Sequence, residues 1–151
     1  MRLINDLFEV VSTKQGEDNY QCQVKFNPEH RIYKAHFPGN PVTPGVCLMQ
    51  IGEEILEEKY GKQLQLNVVK TIRFKKIVGP NDTPVYTFTK EVLDQDILTV
   101  DITVSDEADE AVKMSLQYKV LDQDVLTADV TVSDEADEAV KMSLQFKVLD
   151  V

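Results

Sequence analysis

The sequence predicts an α+β domain in which an antiparallel sheet wraps one buried helix. Three patterns carry this. Several stretches alternate apolar and polar residues with period two, which is the mark of half-buried antiparallel strands. One apolar segment carries helix start and stop signals. A 28-residue unit in the C-terminal half, Val92–Lys119, recurs as Val120–Lys147 with four differences, all between apolar or aromatic residues.

Taken in order, Tyr20, Cys22, Val24 and Phe26 alternate with Gln21, Gln23 and Lys25 and read as a clean strand. Phe8–Thr13 is its expected hairpin partner, across a loop holding Gly16, Glu17 and Asp18. The helix follows, with Thr43 as the expected N-cap, Pro44 as its first residue and Gly61 just past its end. Val46–Ile51 (VCLMQI) is apolar nearly all round except for Gln50, which predicts burial on every side. The last turns, EEILEEKY, are acidic and are expected to emerge into solvent. Asn67–Val78 reads as a long strand ended by Gly79-Pro80-Asn81-Asp82, and Pro84–Leu93 as another.

Each repeat copy then reads as a hairpin. Leu98, Val100, Ile102 and Val104 form one apolar face, and Val112, Met114, Leu116 and Tyr118 form the other, joined by the polar SDEADE. The second copy repeats the pattern at Leu126–Val132 and Val140–Phe146. Two copies joined to a non-repeating half do not make a solenoid array. A tandem duplication of one hairpin, inside a single domain spanning 1–151, is the reading adopted. A helix of about 24 Å, from about 16 residues at the α-helical rise, covers little extra sheet. The added pair is therefore expected either to insert in sheet order or to project and be covered by another subunit.

Composition narrows the function. An apolar fraction of 42% in 151 residues is enough for a real core. Charge is uneven: residues 1–91 sum to +1 and residues 92–151 to −11. An acidic half lacks the basic footprint that phosphates need, which excludes nucleic acid as the expected partner. No apolar run approaches a membrane span, and MRLINDLFEVVSTK lacks a signal-peptide core, so a cytoplasmic protein is expected. Cys22 and Cys47 read as small buried hydrophobes, and two scattered histidines and two cysteines give no metal site and no cofactor motif.

The densest functional signal is His36–Gly45, HFPGNPVTPG, with one histidine, three prolines and two glycines leading into the helix. Prolines fix φ and restrict the residue before them, so this is a stiff loop able to hold an imidazole beside a helix start. A positioned general base needs such a mount. His30, in the polar NPEHR segment, reads as a surface loop residue. Gly52 inside the helix costs about 1 kcal/mol relative to alanine, which points to a close crossing of strand or partner backbone.

HFPGNPVTPG followed by an apolar helix resembles the β-hydroxyacyl-acyl-carrier-protein dehydratases of the hot-dog fold, and IRFKKIVGPND at Ile72–Asp82 resembles the strand-and-turn segment of that family. The strand pattern is compatible over residues 1 to 119, and the second hairpin copy lies outside the family pattern. The resemblance implies a hot-dog fold, a homodimer or higher homo-oligomer, and dehydration of 3-hydroxyacyl thioesters of acyl-carrier protein or coenzyme A. It implies His36 as base and a backbone N–H near Gly45 polarising the thioester carbonyl, which agrees with the unpaired N–H groups at a helix N-terminus. Phe37, Val46, Met49 and Phe74 are candidate walls of an acyl tunnel, or simply core. Lys70, Arg73, Lys75 and Lys76, the basic cluster, are candidates for docking an acidic carrier protein.

At the helical position where the family carries its acid, this sequence has Gln50. A carboxamide hydrogen-bonds but has no acidic proton to give, and general acid help is worth roughly 10²–10⁴ in rate. Three readings stay open. His36 handles the protons while Gln50 orients a hydroxyl or water; Glu53, nearby on the helix, substitutes; or the chain is a thioesterase or a non-catalytic acyl-thioester-binding protein.

Overall fold

The computed structural model describes residues 2–35, 39–107 and 109–122. His36 and Phe37, and the second hairpin copy from residue 123 on, lie outside the described residues, as do the expectations placed on them. The elements are β1 (Phe8–Gln15), β2 (Asn19–Phe26), α1 (Arg31–Ala35), α2 (Gly45–Tyr60), β3 (Leu64–Phe74), β4 (Val85–Asp94), β5 (Ile97–Asp106) and β6 (Asp109–Val120).

The strands form one sheet in the order β1-β2-β4-β5-β6-β3, with every neighbour antiparallel. The predicted alternation sets its buried face: Cys22, Val24 and Phe26 on β2, Leu98, Val100, Ile102 and Val104 on β5, and Val112, Met114, Leu116 and Tyr118 on β6. Within the first repeat copy, β5 and β6 pair directly, with Ile102 opposite Met114 and Val100 opposite Leu116. The turn is tighter than SDEADE implied. Asp106 already pairs with Asp109, and Glu107 bends the chain at φ 55°.

Against this face lies α2. Leu48, Ile51, Gly52, Ile55 and Leu56 are buried, the one-turn spacing of a single helical stripe. The all-round burial expected for VCLMQI does not hold: Val46 is 67% exposed, and Cys47 and Met49 only rest against the core. The helix packs on one sheet, so among the described residues one stripe carries most of the apolar burial. Gly52 makes the close crossing that its place in a helix implied, though against side chains: a Cβ there would sit 3.1 Å from Ile102 Cδ1 and 3.6 Å from the Tyr86 ring. Tyr86 in turn donates its hydroxyl to the Leu48 carbonyl at 2.8 Å, tying β4 to α2.

Four local expectations are corrected. Thr43 is not the N-cap. Pro44 holds that position at φ −60°, ψ 145°, while the Thr43 hydroxyl meets Tyr33 Oη at 2.9 Å and its N–H goes to Val78 O. The strand expected at Asn67–Val78 runs from Leu64 to Phe74, because the Lys75 and Lys76 N–H groups both turn to Ala111 O and end the ladder. His30 is buried rather than a surface residue. Its Nδ1 accepts the Ile32 N–H at 3.0 Å, so the proton sits on Nε2, which reaches Asp6 Oδ2 at 3.2 Å. The acidic end of α2 does not simply emerge into solvent: Glu58 is exposed, but Glu54 and Glu57 are buried, at 2% and 5% exposure. Gly61 does end the helix as expected, at φ 66°, its N–H donating to Glu57 O.

Candidate active site at the start of the central helix

The segment just before α2 is anchored at Thr43. Its hydroxyl bonds Tyr33 on α1, and its N–H donates to Val78 O at 2.8 Å, in the segment after β3. Burial pushes the Tyr33 hydroxyl up to about 12, so it stays protonated and available for this bond at any physiological pH. Three separate parts of the chain thus converge just before α2 begins.

The helix opens at Gly45. Cys47 and Leu48 both donate to Pro44 O, so the Gly45 and Val46 N–H groups precede the first intrahelical bond. They lie at the positive end of the helix dipole. Gly45 also has a packing role: a Cβ there would come within 2.6 Å of Phe74 Cζ and 2.8 Å of Cε1. The Phe74 ring, 52% exposed, therefore lies directly on the first turn, with Val46 exposed beside it. Of the four candidate tunnel residues, Val46 and Phe74 are surface apolar groups at the helix start, Met49 is half-buried one turn on, and Phe37 is outside the described residues.

Gln50 is half-buried on α2 and donates from Nε2 to Glu54 Oε2 at 2.8 Å. Glu54 also accepts the Leu3 N–H on both oxygens, at 3.0 and 2.8 Å, and the Ile4 N–H at 2.8 Å. The donors around this buried carboxyl offset the cost of taking its polarity out of water. Sequence reading missed Glu54, treating it as part of a solvated acidic run. Its partners lie some fifty residues upstream, so no local signal could expose it. Glu53, the proposed substitute acid, is half-buried and lies near Tyr118, whose hydroxyl its charge helps to push up after burial itself. Burial, and then Glu54, push the Cys47 thiol up as well.

The basic cluster divides. Lys75 pairs with Glu110 at 2.6 Å and Lys76 with Asp109 at 3.1 Å, while Lys70 and Arg73 are exposed on β3. Both cysteines are free thiols, with Cys22 buried as expected and Cys47 half-buried. Among the described residues, no group of three or more His, Cys, Asp or Glu is placed to hold a metal, and no helix is long and apolar enough to cross a membrane.

Residues 12–128 match the model of the ApeI-like family, described as ApeI dehydratase. The chain belongs to the ApeI-like dehydratase family. Among curated relatives, the 3-hydroxyacyl-[acyl-carrier-protein] dehydratase FabZ of Clostridium acetobutylicum is 38% identical over 87 residues, covering 53% of this chain and 60% of the relative. The chain spans about half the length of the curated relatives it matches, from 40% to 60% of each.

Solved structures share the fold with this ApeI-like chain. The dehydratase heterocomplex ApeI:P from Xenorhabdus doucetiae aligns at a TM-score of 0.52 and 15% identity, over 73% of this chain and 96% of that one. A hypothetical thioesterase with coenzyme A from Streptococcus pneumoniae aligns at 0.55 and 12% identity, over 80% and 93%. The six-stranded antiparallel sheet with its helix is the hot-dog fold that the sequence resemblance implied.

Proposed function

We propose that this chain dehydrates 3-hydroxyacyl thioesters of acyl-carrier protein, in fatty-acid or related lipid or polyketide synthesis, with His36 as general base. The observation that carries the reading is the run of HFPGNPVTPG into the first turn of α2, inside the segment that matches the dehydratase family. The anchoring of Thr43 at the end of that loop and the position of the Gly45 and Val46 N–H groups before the first intrahelical bond support it. A thioester carbonyl seated at the helix start is polarised by those donors, which stabilises the enolate-like oxygen that develops next. The His36 imidazole removes a proton from C2. The C3 hydroxyl leaves, taking a proton back from the imidazolium, so that water is lost and the C2–C3 double bond forms. One histidine closes this proton balance without a second acid, which leaves Gln50 to hold the hydroxyl in place. Val46, Met49 and Phe74, with Phe37, are the proposed apolar lining for the acyl chain.

The same reading includes a homodimer. Among the described strands β3 lies at an edge, and Leu66, Val68 and Val69 on it are each more than a third exposed. Pairing of two such edges would extend the sheet across both subunits and bury this aliphatic surface. Lys70 and Arg73 on the same strand are proposed to meet the acidic carrier protein, with Lys75 and Lys76 exchanging their exposed carboxylate partners for those of the carrier. Free thiols fit the cytoplasm as the setting.

Gln50 favours a second reading, a hot-dog thioesterase or a non-catalytic acyl-thioester-binding protein, because it supplies no acid. Incubation with a 3-hydroxyacyl thioester separates the three. Enoyl thioester is the expected product, abolished in His36→Ala and increased in Gln50→Glu. Free acid and thiol would instead identify a thioesterase, and binding without turnover a carrier of acyl groups.

A further inference from the structure

We propose that the β5–β6 place in the sheet accepts either copy of the repeated hairpin, with the first copy as resident and the second as a reserve able to replace it within the same chain. The place is bounded by β4 on one side and β3 on the other, both antiparallel to the strand they meet. The first copy fills it with buried Leu98, Val104, Val112, Met114 and Leu116. The second copy repeats these residues unchanged, 28 positions on, as Leu126, Val132, Val140, Met142 and Leu144. Ladder hydrogen bonds come from the backbone, and the face each side chain takes follows from the alternation alone. A hairpin with the same alternation therefore meets the β4 and β3 edges in the same way.

The junctions permit the exchange. The repeat begins at Val92, at a break in the β4–β5 ladder between Thr89 and Val92, where Lys90 stands at φ 52°. Residues 92–119 can leave the sheet at that break, and the chain re-enters at Val120, because Val120-Leu121-Asp122 repeats Val92-Leu93-Asp94. At the far end of β6, the Val120 N–H donates to Asp96 O and the Leu121 N–H to Gln63 O. Val148, Leu149 and Asp124 stand at the equivalent positions of the second copy.

The four differences rank the two copies. Val100, Ile102 and Tyr118 are buried, and their equivalents Ala128, Val130 and Phe146 are each smaller, as is Val125 for Ile97. Ile102 Cδ1 is the atom that lies over Gly52, 3.1 Å from where a Cβ would sit, and valine lacks it. Each lost group leaves a gap in the core. Closing residues 92–119 into a loop adds an entropic cost that the resident arrangement does not carry. The first copy therefore holds the place in the parent chain, and the second takes it when the first is damaged.

Thermal unfolding of the full-length parent and three variants tests this. Leu116→Asp puts a carboxylate at a buried position, which the first copy cannot tolerate. The reserve should rescue it, giving a cooperative transition about 10–20 °C below the parent. Leu144→Asp should melt as the parent does. Leu116→Asp combined with Leu144→Asp should show no folding transition. If Leu116→Asp alone fails to fold, the second copy is matched to the first by Val125→Ile, Ala128→Val, Val130→Ile and Phe146→Tyr in the same chain, which should restore the transition. A combined variant that melts where Leu116→Asp does would show that position 144 takes no part in the rescue. A Leu116→Asp chain that stays unfolded beside the matched second copy would show that the copies are not interchangeable. Either result overturns the proposal, as does a loss of stability in Leu144→Asp alone.

Discussion

Gly45 and Phe74 form a contact that can be measured directly. A Cβ on Gly45 would fall 2.6 Å from Phe74 Cζ, well inside van der Waals contact, so Gly45→Ala must displace the ring. The ring is 52% exposed and can swing outward, so the expected cost is moderate, about 1–2 kcal/mol by the scale of overpacking. In a Phe74→Ala background the same change should cost nothing or stabilise slightly, since alanine is a better helix former than glycine. Thermal unfolding of the four chains in the double-mutant cycle gives the coupling; equal effects of Gly45→Ala in both backgrounds would show that the ring does not explain the glycine. Gly45 was legible from sequence as a backbone donor position at a helix start. Its neighbour was not, because Phe74 comes from the edge of the sheet.

The helix α2 carries a pH dependence through Glu57. Burial is the largest influence and pushes its carboxyl up, while the Leu64 N–H at 2.9 Å and the Arg2 guanidinium at 2.8 Å pull it down. A carboxyl whose native value is raised above that of the unfolded chain, about 4.3, holds its proton longer when folded. The stability this gives is fully present below that value and is lost as pH rises through the native one. Melting temperature should therefore fall across that acid window in the parent and change less in Glu57→Gln; identical profiles would refute the link. Elements with period two were readable in the chain because each strand needs only its own alternation. α2 was readable in position but not in exposure. Glu54 and Glu57 look like a solvated end until Leu3, Ile4, Arg2 and Leu64 supply donors from distant positions. Thr43 before Pro44 carries the local grammar of an N-cap, yet its hydroxyl is taken by Tyr33 from across the loop. His36, the residue on which sequence reading set most weight, stands outside the described residues, and its role rests on motif and family.

For the molecule as a whole, the described sheet is complete with the first repeat copy alone. Val120 and Leu121 already belong to the second copy, yet they finish the first sheet: Val120 pairs with Leu64 and donates to Asp96 O, and Leu121 donates to Gln63 O. The tripeptide Val-Leu-Asp stands at 92–94, 120–122 and again at 148–150. Deletion of residues 120–147 therefore joins Lys119 to another Val-Leu-Asp and should leave both bonds intact. The shortened chain is expected to melt within a few degrees of the parent and to match it in the proposed dehydratase assay; loss of folding would show that the second copy completes the core.

The outer strand β3 has one more property. Its register with β6 slips twice, between Leu66 and Val68 and again between Val69 and Thr71, so Asn67 and Lys70 are supernumerary in the ladder. Fibril growth needs a flat template that repeats without interruption. A rim bent at two places within one strand accepts a mate shaped to the same irregularity and refuses endless stacking. The aliphatic side chains on such a rim are thereby kept from seeding amyloid.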